Sequence, residues 1–191
     1  MKEEKTVAFA LCGSFCSFDA VLPELEKLCA AGWSALPVMS FHAAGTDTRF
    51  GKAKEWKAAL REATGHAPIE TLPAAEPLGP KKLADAMVIA PCTGATLAKL
   101  ALGISDTPVT LGAKSLLRGG RPIVLAVSTN DGLGASAVHI GTLLQRKNIY
   151  FVPFGQDDYQ AKPLSLKADF TLIEQTLQAA LHKKQLQPLL K

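Results

Sequence analysis

At 191 residues, 48% hydrophobic and 20% charged, the chain has the length and composition of one globular domain spanning 1–191. Its net charge of +4 is thinly spread, with no basic run longer than a pair such as Lys81-Lys82 or Lys183-Lys184. That pattern excludes the clustered cationic face with interleaved aromatics that nucleic acids select. The opening MKEEKTVAFALCG carries acidic residues among its first charges and only a short apolar run, unlike a signal peptide or a membrane span. Cys12, Cys16, Cys29 and Cys92 have no CxxC spacing, so reduced thiols and a cytoplasmic setting are expected.

The first apolar run, Val7–Leu11, reads as a strand ending in the turn Gly13–Ser17. A helix is predicted from Phe18 to Ala31, with Val21, Leu22, Leu25, Leu28 and Cys29 apolar, Ser17 as N-cap and Gly32 past its end. Ala35–Met39 is the second strand, followed by the loop Ser40–Arg49 and a helix from Ala53 to Thr64 closed by Gly65. Pro68–Pro80 reads as an ordered crossover or flap. Met87–Ala90 is the third strand; the loop Pro91–Ala95 follows it, and helical spacing resumes at Leu97, Leu100, Ala101 and Ile104. Ile123–Val127 is the fourth strand, with the loop Ser128–Gly134 and a helix from Ala135 to Lys147. The fifth, Ile149–Val152, precedes a loop from Pro153 to Pro163 and an amphipathic helix from about Phe170 to Lys184.

The strands are continuous apolar runs, as expected when both faces are covered, and they alternate with helices. The predicted fold is therefore α/β: a three-layer αβα sandwich with a mainly parallel, Rossmann- or flavodoxin-like sheet. In such sheets ligands sit beyond the C-terminal strand ends, where every unusual loop of this chain falls. The turn at Gly13 has one glycine where a dinucleotide fingerprint needs three, and the second strand ends in Ser40 rather than an acid. A GxGxxG nicotinamide site is disfavoured. Gly13, Ser14, Phe15 and Ser40 instead make a donor set for one phosphate, which suits flavin mononucleotide (FMN). Pro91, Cys92, Thr93 and Thr96 open a helix whose free N–H groups and dipole favour anionic or polar cofactor groups. Cys92 at that helix start has, in principle, a lowered pKa. Ser128, Asn130, Asp131 and Gly132 form a turn on the far side of that loop. Cys12, Cys16 and His42 have no zinc-site spacing, so no metal is expected. Asp157-Asp158 reads as a solvated turn.

These residues resemble the homo-oligomeric flavin-containing cysteine decarboxylase superfamily, which includes phosphopantothenoylcysteine decarboxylases and flavin prenyltransferases. Its loop, PASANT in decarboxylases and PCSMKT-like in prenyltransferases, aligns with Pro91-Cys92-Thr93-Gly94-Ala95-Thr96. Within it, Gly45–Gly51, AEPLGPKKL at Ala75–Leu83, STNDGLGA at Ser128–Ala135 and NIYFVPFGQDD at Asn148–Asp158 are similar to the dipicolinate synthase B-subunit family.

The resemblance implies the last step of dipicolinate synthesis in the mother cell of a spore-forming bacterium. A dihydrodipicolinate-type precursor is oxidised to the aromatic dicarboxylate together with a separate A subunit, where NAD(P) is expected. It further implies FMN on this chain and a homo-oligomer, trimer-based in the superfamily's manner. One departure stands out: decarboxylases carry Asn where this chain has Ala95, so the hydrogen bond to a departing carboxylate is lost. The catalytic group is left open, with His42 as candidate and His139 as the other histidine considered. Lys99 and Arg121 are the available cations for a prenyl phosphate. Two alternatives stay open: a scaffold or substrate-holding subunit without flavin, and an FMN-dependent decarboxylase or prenyltransferase-like enzyme.

Overall fold

Each of the long apolar runs becomes a strand because helices close over both of its faces. A computed structural model describes residues 5–191 and gives β1 (Thr6–Leu11), β2 (Ser34–Met39), β3 (Ala86–Cys92), β4 (Ile123–Thr129) and β5 (Ile149–Phe151). They are parallel and ordered β2-β1-β3-β4, with β5 beside β4, which is the flavodoxin-like order. Residues Val7–Ala10, Met87–Ala90 and Ile123–Val127 are fully buried, so the centre of the core lies along β1, β3 and β4.

Among the described residues the sheet has seven strands, two more than the apolar runs predict. β6 (Phe154–Asp158) and β7 (Lys162–Ala168) form an antiparallel hairpin where the sequence predicts only a loop from Pro153 to Pro163. Their residues, GQDD and KPLSLK, have neither the β-branched content nor the clean alternation that marks a strand. Tertiary pairing supplies the order instead. β5 pairs with Ile123–Leu125 only, and β7 takes over along β4 at Ser128 and Thr129. The hairpin thereby reaches the C-terminal rim of the sheet.

The helices are α1 (Phe18–Ala30), α2 (Phe41–Gly45), α3 (Ala53–Thr64), α4 (Leu72–Ala75), α5 (Gly94–Leu102), α6 (Pro108–Arg118), α7 (Ala137–Leu144) and α8 (Ile173–Leu181). α1 packs against α3 and α8, whereas α5 packs against α6 and α7, so both faces of the sheet are covered. The last two helices are shorter than their apolar periods predict: α7 begins only at Ala137, and the first turn of the final segment is a 3-10 turn, Phe170–Leu172, capped by Asp169. α6 is not anticipated, since Pro108 and Gly112 weaken its pattern. Pro108 fits the first turn, Thr107 caps it, and Gly112 lets Leu78 approach. Pro68–Pro80 is ordered, holding α4, a 3-10 turn at Glu76–Leu78 and a bridge from Ile69 to Val38.

Two local expectations are corrected. Ser17 does not cap α1: a 3-10 turn, Phe15–Ser17, precedes the helix, and the Ser17 hydroxyl turns inward to Ser128 at 2.9 Å. Pro91 and Cys92 do not begin a loop. β3 continues through them across a register shift between Ile89 and Cys92, the kind of irregularity at which a strand accommodates proline. Among the described residues no helix is long and apolar enough to cross a membrane.

Candidate functional site

In the order β2-β1-β3-β4 the connections diverge between β1 and β3, and the crevice beyond their C-terminal ends is where this fold class takes ligands. Two clefts open there and share Gly13 and Thr93 as a common wall.

The first, about 350 Å³, lies towards β2. Three of its lining residues are N-caps: Ser40 accepts from Ala43 N at 3.3 Å, Thr93 from Thr96 N at 3.3 Å and Thr107 from Thr110 N at 3.1 Å. Helix starts of α2, α5 and α6 thus converge, bringing backbone donors and the positive ends of the two longer helices. Among the described residues no carboxylate lines this cleft; Lys99 and His42 do, and Phe15 and Ala95 add apolar surface. Lys99 Nζ lies 2.8 and 2.9 Å from the Asp106 oxygens and holds that carboxyl below its usual range.

The second cleft, about 240 Å³, lies between β1, the end of β4 and the β6–β7 hairpin. Its floor is a chain of hydroxyls: Ser14 and Ser17 each lie 2.9 Å from Ser128 Oγ. Asn130, Asp157, Lys162 and Lys167 form part of its rim.

The predicted site residues therefore divide. Gly13, Phe15, Ser40, Thr93, Thr96 and His42 meet in the first cleft, whereas Ser14, Ser128 and Asn130 meet in the second. Pro91 and Cys92 are buried in β3 and line neither. Asp131 and Gly132 do not line them either. The Asp131 carboxylate accepts hydrogen bonds from Thr129 and from Ser136 at 2.8 Å, which hold it below its usual range. Gly94, at the start of α5, leaves room for this cluster: a Cβ there would lie 2.5 Å from Ser136 Oγ and 2.8 Å from Asp131 Oδ1. Arg121 sits far from the crevice, bonded to Asp85 at 2.7 Å where β1 and β3 begin. Asp157 is not merely a solvated turn, because both Lys162 and Lys167 approach it. Those two lysines were not legible in the sequence, since only the hairpin register brings them to the cleft.

Cys92 behaves oppositely to the expectation from a helix start. It lies within the strand, and burial together with neighbouring Cys12 pushes its thiol well up. Burial raises Cys12 to about 11. Cys16 is exposed and Cys29 half-buried. A thiol-reactive disulfide reagent at mildly alkaline pH should label Cys16 fast, Cys29 more slowly, and Cys12 and Cys92 only after unfolding. Rapid labelling of Cys92 in the folded protein would contradict this burial. Among the described residues no three metal-ligating side chains come together.

The family described as Flavoprotein matches residues 1–152. The dipicolinate synthase B subunit of Bacillus subtilis (strain 168) is 45% identical over 186 residues, covering 97% of this chain and 93% of that protein. The crystal structure of the dipicolinate synthase B subunit from Bacillus halodurans C superposes with a TM-score of 0.90 at 43% identity, covering 98% of this chain and 96% of the other. The FMN-dependent cysteine decarboxylase SpaF is more distant, with a TM-score of 0.65, 25% identity and coverage of 93% and 97%.

Proposed function

Because the chain belongs to the flavoprotein family, we propose that it acts as the B subunit of a dipicolinate synthase, holding FMN in the first cleft and a small dicarboxylate in the second. The observation that carries this reading is the cleft at the β1/β3 crevice, free of carboxylates among the described residues, where three N-caps and Lys99 converge. That donor set fits a phosphate. Gly13, Ser40, Thr93 and Thr96 would hold it, and Phe15 and Ala95 would face the apolar part of the cofactor. A bound flavin supplies a two-electron acceptor.

Oxidising a dihydrodipicolinate-type precursor removes a hydride and a proton and leaves both carboxylates in place. Ala95 suits that outcome, because its methyl group gives no hydrogen bond with which to assist carboxylate loss. Ser128 and Asn130 orient the substrate through neutral hydrogen bonds. His42, the sole imidazole lining either cleft among the described residues, lies on the flavin side and is the candidate catalytic group. The reading includes an A subunit carrying NAD(P), a trimer-based homo-oligomer and a place in the mother-cell cytoplasm. The 45% identical relative is by its name one subunit of a larger enzyme, which supports the partner.

The test is dipicolinate formation by reconstituted A and B subunits. Asn130→Ala should lower substrate use at sub-saturating concentration by about tenfold, equivalent to about 1.4 kcal/mol for one hydrogen bond to the substrate. Full activity of that variant would remove the substrate from the second cleft.

A further inference from the structure

The second cleft has an excess of positive charge and a spare proton donor. Lys162 Nζ lies 3.2 Å from Asp157 Oδ2, and Lys167 Nζ lies 3.9 Å from Asp157 Oδ1. Two ammonium groups therefore share one carboxylate. These three are the only ionised side chains lining the cleft among the described residues, and they leave it a net charge of +1. The placement follows from register. Lys167 pairs directly with Ser128 across β4 and β7, and both residues line this cleft, where the Lys167 ammonium faces Asp157 and the Phe170 ring.

That chain has a proton to spare. Ser14, Ser17 and Ser128 bring three O–H groups, and the two contacts among them use two protons. The third has within reach only the Cys16 sulfur, at 3.9 Å from Ser14 and 4.0 Å from Ser17, which is a weak acceptor. Ser17 and Ser128 are both buried, so their polar atoms are poorly served by water. A strong acceptor bearing negative charge would answer both imbalances at once.

We propose that this cleft is a carboxylate-binding subsite, in which Lys162 and Lys167 of the hairpin and the free hydroxyl proton of the Ser14–Ser128–Ser17 chain hold one carboxylate of a small dicarboxylic acid. It rests on the reading above that substrate enters the second cleft, and it adds how a diacid is told from a monoacid. Asn130 meets the first carboxylate as a neutral donor, and the lysines with the serine chain meet the second. Asp157 keeps the two ammonium groups together before the ligand arrives and competes with it for them.

Calorimetric titration of the purified chain with dipicolinate and with picolinate, its monocarboxylate counterpart, tests the subsite without needing flavin or turnover. The wild-type protein should bind dipicolinate at least tenfold more tightly than picolinate, and rising salt should reduce that preference. K162Q/K167Q should lose the preference while leaving picolinate affinity within about twofold. Both lysines are half exposed, so the fold should be retained, and an unchanged melting temperature would verify it. D157N should bind dipicolinate several-fold more tightly than wild type, because the internal competitor loses its charge. Equal affinity of wild type for the two acids, an unaltered preference in K162Q/K167Q, or weaker binding by D157N would each overturn the proposal. Failure of the flavin reading looks different: the protein would then take up no FMN while its diacid preference remained.

Discussion

Ser40→Asp should reduce binding of FMN by about a hundredfold or more while leaving the melting temperature close to wild type. Ser40 is buried and its hydroxyl caps α2 by accepting from Ala43 N at 3.3 Å. Aspartate is as good an N-cap as serine, so the local structure is kept. What changes is charge. The first cleft has no carboxylate among its described lining residues, and a new one would face the dianionic phosphate. Two like charges about 5 Å apart repel by about 3 kcal/mol at an effective dielectric near ~20, and that figure alone corresponds to about a hundredfold. Titration of the apoprotein with FMN, followed by quenching of flavin fluorescence, reads the effect. Wild-type affinity in a folded S40D protein would place the phosphate elsewhere.

Gly79→Ala should be the most damaging of the glycine-to-alanine changes among the described residues, destabilising the fold by about 3 kcal/mol or more. A Cβ at Gly79 would lie 2.1 Å from the Ser115 carbonyl oxygen and 2.4 Å from its carbon. Those are backbone atoms of α6, so no rotamer change relieves the clash. The Gly79 N–H also donates to Ser115 Oγ at 3.1 Å, and any retreat breaks that bond. The crossover after β2 and α6, whose N-terminus faces the first cleft, would separate. For a domain of this size the melting temperature should fall by about 6–12 °C. Gly141→Ala is the internal control. It lies inside α7 with nothing within 4 Å of the added methyl, so it should gain about 0.5–1 kcal/mol from helix propensity. Thermal unfolding followed by far-ultraviolet circular dichroism compares the two. A G79A protein that melts with wild type would mean that the packing of α6 on the 3-10 turn at Glu76–Leu78 is wrong.

The parts of the fold visible in the sequence are those whose environment is uniform. Val7–Leu11, Met87–Ala90 and Ile123–Val127 are buried on both faces, and continuous apolar runs report that directly. The β6–β7 hairpin is hidden because its order comes from pairing with β4 rather than from its own residues. The same distinction separates the site residues. Ser40 and Thr93 follow strands and precede helices, a local pattern that marks an N-cap, and both line the first cleft. Ser14 has the same local pattern, yet its hydroxyl bonds to Ser128, 114 residues away, and so faces the second cleft. Ser40 is for that reason the better probe of the phosphate. Lys162 and Lys167 carry no local signal at all, as lysines in a polar segment read as solvated. Only the pairing of Lys167 with Ser128 brings them into view.

At the centre of the proposed function is a flavin held through its phosphate in the crevice between β1 and β3. Parallel titrations of the apoprotein with FMN and with riboflavin, which has the same ring system and no phosphate, test it most directly. Such a site predicts saturable uptake of FMN, with a shifted flavin absorption band, and riboflavin binding weaker by at least a hundredfold. Uptake of neither compound, or equal affinity for both, would contradict it.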